Sequence, residues 1–193
     1  MVVVEPGRRS VQTALTVRRY AADLGLQIDA LVAGPTTARF TDPAQVDERV
    51  EKTQQVLALA SQLGVPVVAV RLGPIGERPQ STSRRLAGDA LRAVAETADK
   101  TGTILAVETA GTSPGALAGL LREIDCPLVR VLYDPGSLAI DGYDPLDLPD
   151  AGTMNQGHVM LWFPHDDWGK LLSLIHISEP TRPLYISYAV FCL

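Results

Sequence analysis

Val65-Pro66-Val67-Val68-Ala69-Val70 is apolar at every position. A strand with one wet face alternates apolar and polar side chains, so a run with no polar position belongs to a sheet covered on both faces, the habit of parallel strands. Parallel neighbours cannot be joined by a hairpin and need a crossover, usually a helix. The chain supplies helical segments at regular intervals. The class this dictates is α/β, with helices between successive parallel strands.

Reading along the chain, Val2-Val3-Val4-Glu5 is a β-branched run closed by Pro6-Gly7. Ser10 then caps a helical stretch to Leu24 that stops at Gly25, and Leu26 to Ala33 is a second strand. Asp42-Pro43 places a carboxylate at an N-cap and proline at the first helical position. Val46, Val50, Thr53, Leu57 and Ala60 follow at three-and-four spacing up to Gly64. After the third strand at 65–70, a helix from about Ser83 to Lys100 carries Leu86, Leu91, Val94 and Ala98. Thr103 to Val107 is a fourth strand ending at Glu108, and Thr112-Ser113-Pro114 opens a helix through Leu117, Leu120 and Leu121. Leu128 to Tyr133 is a fifth strand, ended by Asp134-Pro135-Gly136. Beyond a polar stretch, His158 to Phe163 reads as a sixth.

The last 22 residues change character. Leu172 to Arg182 reads Leu-Ser-Leu-Ile-His-Ile-Ser-Glu-Pro-Thr-Arg and Ile186 to Leu193 reads Ile-Ser-Tyr-Ala-Val-Phe-Cys-Leu. Both resemble in-frame translations of the two ends of a transposon-end sequencing adaptor, with Pro183 to Tyr185 as the sample index. We therefore expect residues 172–193 to be a non-native tail, and place the native domain at 1–171. His176 and Cys192 carry no functional weight on this reading.

A closed barrel of eight β/α units takes about 250 residues, roughly 31 per unit, so 171 residues hold five to six strands. The alternative, an open doubly wound sheet, is expected to show a glycine-rich phosphate turn after its first strand. Gly73-Pro74-Ile75-Gly76 and Gly111-Thr112-Ser113-Pro114-Gly115 are interrupted by proline and lack that context. The barrel is the favoured architecture. With 17 Lys+Arg against 22 Asp+Glu the net charge is −5, which argues against a broad nucleic-acid surface. No run of 18 apolar residues marks a membrane span. A charge already at Glu5 is unlike a signal peptide. Two cysteines make no disulfide framework. The expectation is a soluble, cytoplasmic protein with no nucleic-acid or membrane partner.

Chemistry concentrates where strands end. Glu108 follows Ile104-Leu105-Ala106-Val107 directly, and Asp134 follows Val129-Arg130-Val131-Leu132-Tyr133. Carboxylates at the C-terminal ends of two consecutive barrel strands face one mouth, where barrel active sites lie. Paired hard oxygens suit Mg²⁺, Mn²⁺ or a similar divalent ion. Either carboxylate could instead cap the helix that follows it.

Several segments point further. Leu105-Ala106-Val107-Glu108-Thr109, Tyr133-Asp134-Pro135-Gly136-Ser137-Leu138 with Gly142-Tyr143-Asp144-Pro145, Leu57 to Pro66, and Ala95 to Gly102 are informative in their order and spacing. Together they resemble the xylose-isomerase-like sugar phosphate isomerase/epimerase family over about residues 1–150. The resemblance implies an incomplete (β/α)8 TIM barrel containing roughly strands 2 to 7, with strands 1 and 8 absent from the sequence as written. It implies a divalent metal (Mn, Mg or Co) held by Glu, Asp, His and Glu from the last four strands. Carried over, Glu108 and Asp134 are the first two ligands, and Glu5 matches an acidic residue common on strand 2. The third ligand departs from the family pattern: His158 is favoured, with His165, 31 residues after Asp134, as the alternative. Ser137 stands where epimerases of the family often carry a substrate-binding His.

The implied reaction is proton abstraction beside a carbonyl of a small-molecule sugar or sugar phosphate, through an enediolate. Glu108 serves as general base and acid, and Arg71 as a bidentate clamp for phosphate or carboxylate, unless it is a solvated rim residue. Lacking its outer strands, the chain as written is expected to be inactive. Two other classes stay open: a metal-dependent abasic-site endonuclease-like barrel, which three histidines and the net charge disfavour, and a non-catalytic barrel fragment.

Overall fold

Strand follows strand across a single sheet in chain order, every neighbour parallel. The structure is a computed structural model, and it describes residues 2–4, 8–34 and 39–144. Its elements are β1 (Val2–Val4), α1 (Arg8–Asp23), β2 (Ala30–Ala33), α2 (Val46–Leu63) and β3 (Val67–Arg71). They continue with α3 (Thr82–Thr101), β4 (Ile104–Glu108), α4 (Pro114–Ile124), β5 (Val129–Leu132) and α5 (Pro135–Ile140).

Local chemistry explains most boundaries. Ser81 caps α3 by accepting the Arg84 N–H at 3.3 Å, and Ser113 caps α4 by accepting the Ala116 N–H at 3.2 Å. Pro114 fills the first turn of α4, where its missing N–H costs nothing. α3 stops at Gly102, whose φ of 65° lies in the left-handed region that a residue without Cβ enters freely.

Some expected boundaries shift. Asp42 does not cap α2. Its carboxylate accepts the Ala44 N–H at 2.9 Å and its carbonyl the Val46 N–H at 3.0 Å, which makes a separate turn, and the helix begins at Val46. α1 begins at Arg8, so Ser10 lies inside it, and β2 covers only the last four residues of the expected run. α5 was not expected at all. The strand expected at 158–163 and the tail at 172–193 lie outside the described residues.

The two faces of the sheet differ. One carries Leu31, Val68, Val70, Leu105, Val107 and Val129, which pack with Val56, Leu57, Leu91, Val94, Leu117 and Leu120 of the helices. Cutting one of the fully buried leucines to alanine costs about 2–5 kcal/mol. The opposite face holds a separate, smaller cluster of Ala69, Ala106 and Leu132 with Val32 and Val67, and no helical residue joins it. Helices α1 to α4, whose residues join the larger cluster, thus cover one side. A doubly wound sheet would reverse its strand order and place helices on both sides. Sequential order with one helical layer is the arc of a (β/α)8 barrel, whose concave face carries the small cluster.

Candidate active site at the C-terminal rim

Register fixes what reaches the rim. Val67, Ala69 and Arg71 of β3 stand opposite Ile104, Ala106 and Glu108 of β4. Alternation puts all six on the concave face, so the last concave positions of these strands are Arg71 and Glu108. Glu108 in turn pairs with Leu132 of β5. Asp134 lies two residues beyond Leu132 in extended backbone (φ −120°, ψ 94°), which returns it to the same side. Glu108 and Asp134 therefore share one rim of neighbouring parallel strands.

Each carboxylate already has partners. Arg71 donates from Nε to Glu108 Oε2 at 3.1 Å and from Nη2 to Glu108 Oε1, a side-on fork that engages both oxygens. The Glu108 side chain is 12% exposed and that of Arg71 38%. The hydrogen bond to Glu108 holds the Arg71 guanidinium above its ordinary pKa. Burial acts in the opposite sense, and the charges of Glu108, Asp134 and Asp141 reinforce the rise. Asp134 is 1% exposed. Its Oδ1 accepts the Ser137 N–H at 3.1 Å and its Oδ2 the Ser137 hydroxyl at 2.6 Å, so it caps α5. Asp141, just past α5, accepts the Gly111 N–H at 2.5 Å and ties α5 to the loop after β4.

Two buried threonines brace this rim. Thr109 Oγ1 accepts the Asp134 N–H at 3.1 Å, which pins the residue before α5 to the end of β4. Thr112 Oγ1 donates to the Gly73 carbonyl at 3.0 Å and accepts the Ile75 N–H at 3.3 Å, which latches the loop after β3 to the loop after β4. Both threonines escaped the sequence reading, since nothing in their local pattern marks them. Burial pushes up the Tyr133 hydroxyl, with lesser contributions from Asp144 and Asp134.

The structure thus brings Glu108, Asp134 and Arg71 to one rim, with Arg71 paired to Glu108. His158 and His165 lie outside the described residues, as does Glu5. Glu108 and Asp134 are the oxygen donors a hard divalent cation takes, so the rim fits such an ion in kind. Among the described residues no cluster of three or more His, Cys, Asp or Glu forms a complete metal site. Those residues also include no helix long and apolar enough to cross a membrane.

A family model described as a xylose isomerase-like TIM barrel matches residues 5–182, which takes in the start of the 172–193 segment. No curated protein matches the sequence. Among solved structures, a xylose isomerase domain protein from Planctomyces limnophilus is similar with a TM-score of 0.65 at 20% identity, covering 72% of this chain and 54% of that one. A D-tagatose 3-epimerase-like protein gives 0.63 at 17% identity, covering 83% and 63%. A xylose isomerase-like TIM barrel protein from Mycobacterium smegmatis, solved in complex with magnesium, gives 0.55 at 18% identity, covering 74% and 51%. The chain spans between 51% and 63% of the length of these three proteins. At such identities the likeness establishes the fold.

Proposed function

This chain belongs to the xylose isomerase-like TIM barrel family, and on that footing we propose that its rim serves a divalent-metal-dependent isomerase or epimerase acting on a small sugar or sugar phosphate. The observation that carries the reading is the pairing of Glu108 with Asp134 on one rim of adjacent parallel strands. Glu108 and Asp134 would hold the ion (Mn, Mg or Co), with His158 as the proposed third ligand. When bound, such an ion supplies Lewis-acid polarisation of a substrate carbonyl and its neighbouring hydroxyl.

The chain's own residues do the rest. Glu108 takes the proton from the carbon beside the carbonyl, which leaves an enediolate; for isomerisation the hydroxyl proton passes to the former carbonyl oxygen and Glu108 returns its proton to the former carbonyl carbon. An epimerase needs a second acid on the other face of the substrate. The low exposure of the Glu108 side chain keeps bulk water from competing for that proton. Asp134, fixed by Ser137 and Thr109, holds its orientation throughout. Arg71 is the proposed partner for an anionic oxygen of the substrate.

The test is conversion of a panel of ketoses, aldoses and their phosphates by the full-length restored gene product, with Mn²⁺, Mg²⁺ or Co²⁺ and after EDTA. Metal-dependent conversion that Glu108→Gln abolishes supports the reading. Conversion indifferent to EDTA and to Glu108→Gln overturns it.

A further inference from the structure

We propose that Arg71 is a lock on Glu108: its guanidinium holds both carboxylate oxygens in the place a divalent cation would take, and the cation enters only as Arg71 swings out. This rests on the metal-site reading above and adds to it a control on metal entry.

The argument begins with register. Arg71 and Glu108 are direct partners across β3 and β4, both at the last concave position. The fork spends one donor on each Glu108 oxygen, so whichever oxygen a cation would take is already engaged. A guanidinium and a divalent ion facing the same two oxygens repel each other, so the two occupants exclude one another. Asp134 is different. Its hydrogen-bond donors are a neutral N–H and a neutral hydroxyl of Ser137, and Arg71 acts on it only through space, which leaves its remaining lone pairs open. One ligand is ready and the other is locked.

Exposure says which partner moves. The Glu108 side chain is 12% exposed, whereas the Arg71 side chain is 38% exposed. Asp141, held at the mouth by the Gly111 N–H, already acts on Arg71 through space and offers the displaced guanidinium a second carboxylate. Once released, the Arg71 fork is available to an anionic oxygen entering the mouth. Metal first, anionic ligand second, is the order this imposes.

The experiment is Mn²⁺ binding to the full chain, read from the electron paramagnetic resonance signal of the free ion. Arg71→Met should bind Mn²⁺ roughly tenfold more tightly than the unmodified chain, because a charge-assisted competitor is gone. Arg130→Met is the control for net charge. It removes a concave-face arginine whose Nε is spent on the Pro127 carbonyl at the far end of β5, and should change affinity less than about twofold. A second measurement uses the unmodified chain: the Arg71 Nε–H resonance should move toward its unbonded position as diamagnetic Mg²⁺ is added. Unchanged or weaker Mn²⁺ binding in Arg71→Met, with Glu108→Gln still abolishing it, overturns the lock and leaves the metal site standing. So does a stationary Nε–H resonance while Mg²⁺ binds. Absence of binding in both the unmodified chain and Arg71→Met overturns the metal reading, and the lock with it.

Discussion

Thr112→Val removes a hydroxyl and keeps the shape. Thr112 is 1% exposed, and its hydroxyl is the joint between two rim loops. Valine leaves the Gly73 carbonyl and the Ile75 N–H without their partner, and both residues are buried. Each stranded buried group costs about 1–3 kcal/mol. The Ile75 bond is long at 3.3 Å, and Pro74 between the two is exposed, so water can reach part of the gap. Both facts favour the low end of each range, about 1–1.5 kcal/mol apiece, and give a total of about 2–3 kcal/mol. With a urea slope of roughly 2 kcal/mol per molar, the unfolding midpoint should fall by about 1–1.5 M. Thr112→Ser, which keeps the hydroxyl, should lose about 1 kcal/mol for the missing methyl. The amide of Ile75 should lose hydrogen-exchange protection in the valine variant and keep it in the serine one. A valine variant as stable as the serine variant, with Ile75 still protected, would show that the latch does not hold the rim.

Other outcomes follow from the same geometry. Gly34→Ala should cost more than about 2 kcal/mol in a denaturant titration: φ is 79° there, and the new Cβ would run into Nη1 of Arg49, which is 2% exposed and stacked on Phe40. Because burial holds the Tyr133 proton more tightly in the folded chain, its contribution to stability is present below the ordinary tyrosine value of 10.0 and is lost as pH rises through the folded value. Tyr133→Phe should therefore flatten the fall in melting temperature above that pH, and an unchanged slope would count against it. Deleting residues 172–193 should leave the melting temperature and Mn²⁺ affinity unchanged. Source DNA that continues past the Leu171 codon with codons for Leu172 to Leu193 would refute the adaptor reading.

The fold was legible where burial is two-sided. The continuous run at 65–70 announces a covered parallel strand because both faces of β3 are apolar, one against the helices and one against Ala69's small cluster. The misplaced boundaries share one cause. Asp42, Ser10 and Asp134 all carry capping side chains, but a side chain can satisfy a turn, lie inside a helix or start one, and only the backbone path decides which. Asp134-Pro135-Gly136 reads as a stop after a strand. It is equally the start of a helix: cap, proline at the first position, then a six-residue element too short to show a period.

The site was legible one residue at a time, and its pairings were not. A charged residue directly after an apolar run is visible in the sequence, and Arg71, Glu108 and Asp134 are all of that kind. What each does depends on which strand residue stands opposite, and a shift of one residue would turn Arg71 to the helical side. The register that sets Arg71 against Glu108 converts a proposed ligand clamp into the partner of the proposed base. The same register leaves Asp134, one strand further on, to be held by Ser137 and Thr109. The fork occupies the Nε/Nη2 edge of Arg71, so while Glu108 is held that edge cannot also grip a substrate. A substrate that needs the side-on edge of the guanidinium therefore competes with Glu108 for it, which is the competition the lock proposes.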